Sequence, residues 1–354
     1  MIMANSDLLS LKTLDQWALP AHGLKVDTVD AHAGGQPLRV ILGGLPPIPG
    51  RTMQERQNWA GQHLDHLRRA LVLEPRGHPE MMACVLTPPQ HSGSQFGVLF
   101  WHRHGFSPVS GHGVIALATV LLECGLVEVQ SAGMRLRLDT AAGTIEAAVE
   151  IHNDRVRRVS FENGLSRVVA LDRKVHVPGV AEVQYDLAYG GALFAFVRAE
   201  DLEVSTTAED VRALVAAGVQ LRQAIAAAPL PPGAAVDGPP FGVVFMDAPK
   251  PRERGRVDAR QVCVFAHGGV DRGPGGAGLS ARLALMAHRH ELADGQPFTV
   301  EGITGSTFTG RVVRQDPETG PGAVICAIEG RAWITGRHSF FMAMDDPFRD
   351  GFLL

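Results

Sequence analysis

Two short glycine-rich segments contain residue types that could bind and transform a small ligand, and each precedes an apolar, helix-like run. The first is SGHG at 110–113, followed by VIALATVLLECG; the second is GPGG at 273–276, shortly followed by LSARLALMAHRH. Glycines before a helix let backbone N–H groups approach a ligand, and the helix N-terminus carries a partial positive charge. Two such N-termini facing one another would bind a small carboxylate without an arginine.

The same strand–loop–helix unit occurs once in each half of the chain. The strand-like segment GVLFWH precedes the first loop, and VCVFAH precedes the second. Glycines before helices are common, so either loop alone is weak evidence for a site. Their repetition with matched flanking strands predicts a pseudo-symmetric pair of units with one binding cleft between them.

The elements around these loops predict an α+β protein rather than a doubly wound sheet. Strands are expected at 25–30 and 173–178 and 182–188, and in the segments MACVLT, FGVLFWH, MRLRLDT, GTIEAAVEI, ALFAFV, FGVVFMD and RQVCVFA. Helices are expected at about 52–72 and 208–227, the second starting with Glu209 and Asp210 in a capping box behind Thr206 and Thr207. Strands and helices do not alternate strictly, which favours α+β domains.

Length and composition predict a soluble two-domain protein. The 354 residues exceed one ordinary core, and 45% apolar with 20% charged residues is typical of globular proteins. We expect an N-terminal extension at 1–24, a first domain at 25–165 plus 336–354, and a second domain at 166–335. The net charge of −4 argues against nucleic acid or an anionic membrane as partner. The basic run at 250–256 lies among prolines and glycines, which predicts a solvated turn.

Targeting signals and cysteine usage favour the cytoplasm. No segment is apolar for the roughly 18 residues that a membrane helix needs, and the N-terminus does not resemble a secretory signal. The four cysteines are scattered without paired spacing. Cys84, Cys263 and Cys326 lie in apolar surroundings and are expected to be buried, whereas Cys124 ends an apolar helix. A reduced compartment explains this usage.

Other polar residues give weaker signals. His102 and His104 alternate on a predicted strand, but no carboxylate or cysteine joins them at ligand spacing, so no metal site is predicted. Ser110 and His112 lack the G-x-S-x-G elbow and a third triad member, which disfavours a hydrolase. Asp271 and Arg272 are expected to form a structural ion pair.

An ordered series of motifs resembles the proline racemase family over nearly the whole chain from about residue 25. These are DAHAGGQPLRV at 30–40, EPRGH at 74–78, YGG at 189–191, ITGSTF at 303–308, DPFRDGF at 346–352 and the two glycine loops. The resemblance implies two pseudo-symmetric α+β domains of the proline racemase and diaminopimelate epimerase type. Each is a sheet wrapped around a central helix, with the active site between them and the C-terminal strand returning to the first domain. It also implies an imino acid substrate, no metal or organic cofactor, and often a homodimer.

The chain departs from the family pattern where the resemblance places two catalytic cysteines. In the racemases and epimerases one cysteine removes the Cα proton and the other returns one from the opposite face. Ser110 and Gly275 stand at those positions, and glycine cannot move a proton. His267 and Gln36 replace a common Asp and a common Glu, so the site is expected to have lost negative charge.

Three functional hypotheses follow from the resemblance. The first is one-base dehydration of trans-3-hydroxy-L-proline to pyrroline-2-carboxylate, with Ser110 as proton acceptor. Substrate binding is then assigned to Gly111, His112, His267, Asp271, Gly275 and Gly276, and His267 would also assist the departing hydroxyl. The second is a proline racemase or 4-hydroxyproline 2-epimerase with water or His267 as substitute second base. The third is a non-catalytic binding protein that keeps the carboxylate site.

Overall fold

The computed structural model describes residues 23–179, 182–230, 236, 238–247, 257–316, 318–320 and 322–354. Nearly all of the predicted N-terminal extension and the whole basic run at 250–256 lie outside the described residues. No helix in the described ranges is long and apolar enough to cross a membrane.

The first half of the chain contains seven strands and three helices before the long strand that leads into the second half. They are β1 (Leu24–Ala33), β2 (Gln36–Gly43), α1 (Met53–His63), α2 (Asp65–Val72), β3 (Met82–Thr87), β4 (Phe96–His102), β5 (Gly105–Ser107), α3 (Gly111–Glu123), β6 (Gly133–Thr140) and β7 (Gly143–His152). The long strand is β8 (Arg155–His176).

The second half repeats the mixture of strands and helices. Its elements are β9 (Glu182–Tyr189), β10 (Leu193–Arg198), α4 (Val211–Ala227), β11 (Gly242–Met246), β12 (Ala259–Phe265), α5 (Gly276–His288), β13 (Phe298–Glu301), β14 (Thr307–Gln315), β15 (Val324–Gly330) and β16 (Ala332–Met342). Two short 3-10 turns, Ala199–Leu202 and Ala208–Asp210, precede α4.

One continuous strand path connects the two halves. Its order is β15-β14-β13-β12-β11-β10-β9-β8-β7-β6-β4-β3-β2-β1-β16, with β5 paired to β4 and an additional pairing of β15 with β8. The C-terminal strand β16 returns to the first half and pairs antiparallel with β1 along its length. The path therefore curls back on itself and leaves an interior on each side of β8.

Helices α3 and α5 fill these interiors. Helix α3 is buried from Gly113 to Leu122 and packs against β1, β2, β7, β8, β15 and β16. Helix α5 is buried over most of its length and packs against β8, β9, β10, β14 and β15. Burying one Leu, Ile or Val side chain contributes about 1.5–3 kcal/mol, so an apolar run without a polar face is stable only in such a position. The prediction of an α+β fold with sheet wrapped around two central helices is confirmed.

Three local predictions differ from the structure. The helix expected at 52–72 is two helices, because Leu64 leaves helical geometry between α1 and α2. The predicted capping box is wrong: α4 begins at Val211, and Asp210 instead accepts a hydrogen bond from the Ser205 N–H. Strand β8 runs across residue 165, where we placed the first domain boundary. The division of the chain into domains stays a prediction.

Candidate active site

The first glycine loop caps helix α3 with the side chain of Ser110. Ser110 is the N-cap residue, and its Oγ accepts the Gly113 N–H at 3.2 Å. The side chain is buried, and the same oxygen lies 3.3 Å from Nδ1 of His112 and 3.8 Å from the sulfur of Met82. A hydroxyl held at a helix N-terminus is more easily deprotonated, because the partial positive charge there stabilises the alkoxide.

The two central helices meet through their N-termini. A β-carbon built on Gly111 would lie 3.7 Å from Cα of Gly276, so the first residues of α3 and α5 are close neighbours with space for little more than a methyl group between them. Helix α5 has no side-chain cap, and the N–H groups of its first turn have no partner within the helix. The predicted pair of opposed helix N-termini is therefore present, and the N–H groups of Gly111 and Gly276 have no hydrogen-bond partner among the described residues.

The second loop has a backbone that suits glycine. Gly275 caps α5 with φ of 76°, a region that residues with a β-carbon rarely adopt. A β-carbon built there would lie only 2.9 Å from Oδ2 of Asp271. Position 275, where the family pattern has its second cysteine, therefore has no side chain. The carboxylate of Asp271 lies beside it.

A cavity of about 390 Å³ lies at the meeting point of the two helices. Its volume is at the lower end of the range for small-molecule sites. The cavity is lined by all seven residues that the sequence assigned to the site: Ser110, Gly111, His112, His267, Asp271, Gly275 and Gly276. Its walls also include Gln36, Glu80, Met82, His102, Arg103, His104, Phe106, Asn163, Phe194, Phe241, Cys263 and Phe265. The structure therefore brings the predicted residues together, while their roles stay predictions.

His112 is neutral in this environment. Burial lowers the pKa of His112 to about 4, and its Nε2 has no hydrogen-bond partner in the part of the chain that the structure describes. Although the sequence disfavours a hydrolase triad at these residues, Ser110 Oγ and His112 Nδ1 are close enough for a hydrogen bond. Neutral imidazole can accept a proton from the serine through Nδ1.

The sequence did not predict a role for Glu80. The side chain connects residues from the two halves of the chain at the cavity. Its Oε1 lies 3.2 Å from Nε2 of His267, and its Oε2 lies 3.9 Å from a guanidinium nitrogen of Arg272. Gln36 ties the same region together, because its amide donates to the Glu80 carbonyl and accepts from the Arg272 N–H. No spacing rule links residue 80 to residue 267; the only signal was its position two residues after the EPRGH motif.

Glu80 supplies a negative charge to the cavity. Burial acts to raise its pKa, but the hydrogen bond from His267 and the charges of His267, Arg272 and Arg103 outweigh burial and hold the pKa below its usual value. Glu80 is therefore ionised at neutral pH. The loss of negative charge at positions 267 and 36, relative to the family pattern, stays a prediction.

Asp271 and Arg272 do not form the ion pair that the sequence suggested. Arg272 donates to the Val270 carbonyl and approaches Glu80 instead. Asp271 accepts the Gly273 N–H through Oδ1 at 3.1 Å. Burial raises the pKa of Asp271 to about 7, and the negative charge of Glu80 acts in the same direction. The carboxyl of Asp271 is thus divided between its acid and base forms near neutral pH.

His102 and His104 do not lie on the same strand, although the sequence predicted that they alternate on one. His102 ends β4 and is partly buried, while His104 lies in the following turn with its ring 5.0 Å from that of His267. Burial lowers the pKa of His102 to about 4. Within the described ranges no group of three or more His, Cys, Asp or Glu side chains could hold a metal ion.

The arrangement of two capped central helices around one cavity agrees with comparison to known proteins. A family profile described as proline racemase matches residues 28–353. This chain belongs to the proline racemase family. The membership confirms the resemblance that the ordered motifs suggested, and it covers both glycine loops.

Similar members of the proline racemase family have different reactions in their names. A trans-3-hydroxy-L-proline dehydratase from Colwellia psychrerythraea is 36% identical over 338 residues, covering 94% of this chain and 93% of that protein. A 4-hydroxyproline 2-epimerase from Streptosporangium roseum is 38% identical over 328 residues, covering 92% and 97%. The crystal structure of a hydroxyproline epimerase from Agrobacterium vitis, with bound trans-4-hydroxy-L-proline, matches with a TM-score of 0.81 and 31% identity over 93% of this chain and 95% of its own.

Proposed function

We propose that this chain dehydrates trans-3-hydroxy-L-proline to pyrroline-2-carboxylate without a cofactor. The observation that carries the proposal is the inequality of the two caps: Ser110 presents a buried hydroxyl to the cavity, and Gly275 presents none. A dehydration needs a proton carrier on one ring face only. The names of similar dehydratases support this substrate.

Binding of the substrate uses backbone and charge. Its carboxylate accepts hydrogen bonds from the backbone N–H groups of Gly111 and Gly276 at the two neighbouring helix N-termini. The partial positive charges of both helix ends favour the bound anion. Its ammonium group lies toward Glu80, which is ionised and lines the cavity. This orientation puts the Cα proton within reach of Ser110.

Proton removal is shared by Ser110 and His112. As Ser110 Oγ takes the Cα proton, its own proton moves to Nδ1 of His112, 3.3 Å away. The N–H of Gly113 and the helix N-terminus stabilise negative charge that develops on Oγ. Such a positioned acid–base pair typically accelerates a reaction by about a hundredfold to ten-thousandfold.

The hydroxyl leaves from the same ring face as the Cα proton, and its departure completes the reaction. The 3-hydroxyl of the trans isomer is on the opposite ring face from the carboxylate, and therefore on the same face as the Cα proton. The electron pair of the broken Cα–H bond forms the C2–C3 double bond, and the C3–O bond breaks. The proton that His112 holds returns to the leaving oxygen, directly or through Ser110, and water is released. His267 remains available to donate a hydrogen bond to that oxygen, as the sequence suggested.

The test is a direct assay of the purified protein. We expect trans-3-hydroxy-L-proline to yield pyrroline-2-carboxylate, detected by proton NMR, and the Ser110→Ala variant to yield none above background. Absence of product together with absence of Cα deuterium exchange in heavy water would overturn the proposal. Tight calorimetric binding of pyrrole-2-carboxylate by such an inactive protein would instead favour the binding-protein alternative.

An epimerase is the second candidate, because the cavity contains an ionisable group beside Gly275. The similarity to named hydroxyproline epimerases supports it as well. Chiral chromatography of 4-hydroxyproline after incubation separates this activity from dehydration.

We also propose a cytoplasmic homodimer. The four cysteines are all free, and three are buried, which supports a reducing compartment. Light scattering coupled to size-exclusion chromatography tests the dimer, and fractionation of the native cells tests the compartment.

A further inference from the structure

A carboxylate fills the space that a side chain at position 275 would use. The β-carbon of any such side chain would start 2.9 Å from Oδ2 of Asp271. Asp271 also lines the cavity, so this oxygen lies at the wall from which a residue at 275 would face the ligand.

Pseudo-symmetry assigns this carboxylate to one face of the ligand. Ser110 and Gly275 are the N-caps of the two central helices, whose first residues are close neighbours. A ring bound between these N-termini presents one face to Ser110 and the other to Gly275. Asp271, which adjoins Gly275, therefore faces the side opposite Ser110.

One oxygen of Asp271 is free to exchange a proton. Oδ1 accepts the Gly273 N–H, whereas Oδ2 makes no hydrogen bond with any residue that the structure describes. The adjacent Arg272 is directed to the Val270 carbonyl and to Glu80. Among the described residues, therefore, no cation forms an ion pair with the Asp271 carboxyl.

The protonation state of Asp271 also suits exchange in both directions. Burial raises the pKa of Asp271 to about 7; the Gly273 N–H and Arg272 oppose this rise, and Glu80 adds to it. Both the acid and the base are present in quantity near neutral pH. A group that must give a proton to one enantiomer and take it from the other needs both forms.

We propose that Asp271 is the proton carrier on the ring face opposite Ser110, so that this chain also inverts Cα of proline-type imino acids that have no 3-hydroxyl. Ser110 takes the Cα proton of the L-isomer, and the electron pair left on Cα takes the proton of the Asp271 carboxyl to form the new Cα–H bond. The D-isomer is released, and proton exchange with water restores both groups. The reverse reaction begins with the Asp271 carboxylate.

This inference rests on the proposed function in placing an imino acid between the two loops and in making Ser110 the proton carrier on one ring face. Dehydration of trans-3-hydroxy-L-proline uses the Ser110 face alone, whereas inversion needs both faces. The two proposals can therefore fail separately.

Deuterium exchange at Cα, measured separately for each enantiomer, tests the assignment. Trans-4-hydroxy-L-proline and cis-4-hydroxy-D-proline are incubated with enzyme in heavy water, and loss of the Cα proton signal is followed by NMR. The wild-type protein is expected to exchange both. Asp271→Asn is expected to slow exchange of the D-isomer at least about a hundredfold more than that of the L-isomer, and Ser110→Ala to do the reverse.

Three outcomes would overturn the inference. In the first, Asp271→Asn slows both enantiomers equally, which means that Asp271 only attracts the ammonium group. In the second, the D-isomer exchanges normally in that variant. In the third, the wild-type protein dehydrates trans-3-hydroxy-L-proline but does not exchange the D-isomer, and then the proposed function survives alone. Residual exchange of the L-isomer in Asp271→Asn reports that the variant is folded.

A rescue experiment guards against indirect effects of the substitution. The double variant Asp271→Ala/Gly275→Cys removes the carboxylate that a β-carbon at 275 would meet and supplies a thiol from the same wall. Exchange of the D-isomer is expected to recover at least tenfold over Asp271→Ala alone. Failure to recover, with exchange of the L-isomer intact, counts against a proton carrier at this wall.

Discussion

Ser110 and Gly275 occupy equivalent positions, each at the N-cap of a buried helix of 13 residues. The first cap is a side chain: a hydroxyl that accepts a backbone N–H and contacts a neutral histidine. The second cap is backbone alone, in a conformation that only glycine adopts easily, with the nearest ionisable group four residues earlier in the chain. In the proposed reaction, carboxylate binding and proton transfer are therefore separable properties of the same loop. The helix N-terminus is assigned the first, and one side chain is assigned the second.

Removing the hydroxyl of the first cap tests this separation most strongly. Ser110→Ala is expected to lower kcat for dehydration by about a thousandfold, because the Cα proton loses its acceptor. Ser110→Cys is the matched control and is expected to retain activity, since a thiol with a pKa of about 8.5 also carries a proton. Activity is measured by NMR of the product. If Ser110→Ala retains more than a tenth of the wild-type activity, Ser110 is not the proton acceptor.

Adding a side chain to the second cap tests whether its backbone requires glycine. Gly275→Ala is expected to lower the free energy of unfolding by about 1–2 kcal/mol through its positive φ, and to slow Cα exchange of the D-isomer at least tenfold by displacing Asp271. Gly295→Ala is the control, because Gly295 has a similar φ of 72° and no atom within 4 Å of its built β-carbon. In denaturant titration, both variants are expected to lose the same free energy of unfolding. In the exchange assay, only Gly275→Ala is expected to lose activity toward the D-isomer. Equal exchange of the D-isomer in both variants would contradict a role for Asp271 beside position 275.

Neutralising Glu80 tests how its negative charge affects substrate binding and the pKa of Asp271 beside the second cap. Glu80→Gln is expected to raise KM for the imino acid about tenfold, the effect of losing one charge-assisted contact. It also removes a negative neighbour of Asp271, whose pKa should then fall below 7. Exchange of the D-isomer needs ionised Asp271, so its rise with pH should move to lower pH. A profile that stays in place or moves to higher pH would contradict this electrostatic link.

The smallest effect is on stability. The pKa of Asp271 in the folded protein, about 7, lies above its ordinary value of 3.8, so folding binds a proton between these values and stability falls as pH rises through them. Asp271→Asn removes that penalty and should raise Tm by about 2 °C at pH 8 but not at pH 4. Exposed Asp345→Asn is the control and should show no such difference. A Tm gain at pH 4 as large as that at pH 8 would show that the carboxyl does not titrate in this range.

Prediction from sequence succeeded where local pattern determines structure. The apolar runs after both glycine loops could only be buried helices, and the flanking strands followed from β-branched residues. It failed for contacts between distant residues, such as Glu80 with His267, which no periodicity encodes. It also failed for Asp271, whose environment depends on the φ of Gly275 and on where Arg272 points. The capping box failed because Ser205 competed for Asp210.

Strand β8 has a mechanical consequence. Its 22 residues pair with β7 and β15 at one end and with β9 at the other, so both halves of the protein share one hydrogen-bonded ribbon instead of a linker. A ribbon resists bending in its plane but permits twist. A displacement of one half is therefore passed through the hydrogen bonds of β8 to the other half. The relative position of the Ser110 and Gly275 caps depends on this strand as well as on the contacts between α3 and α5.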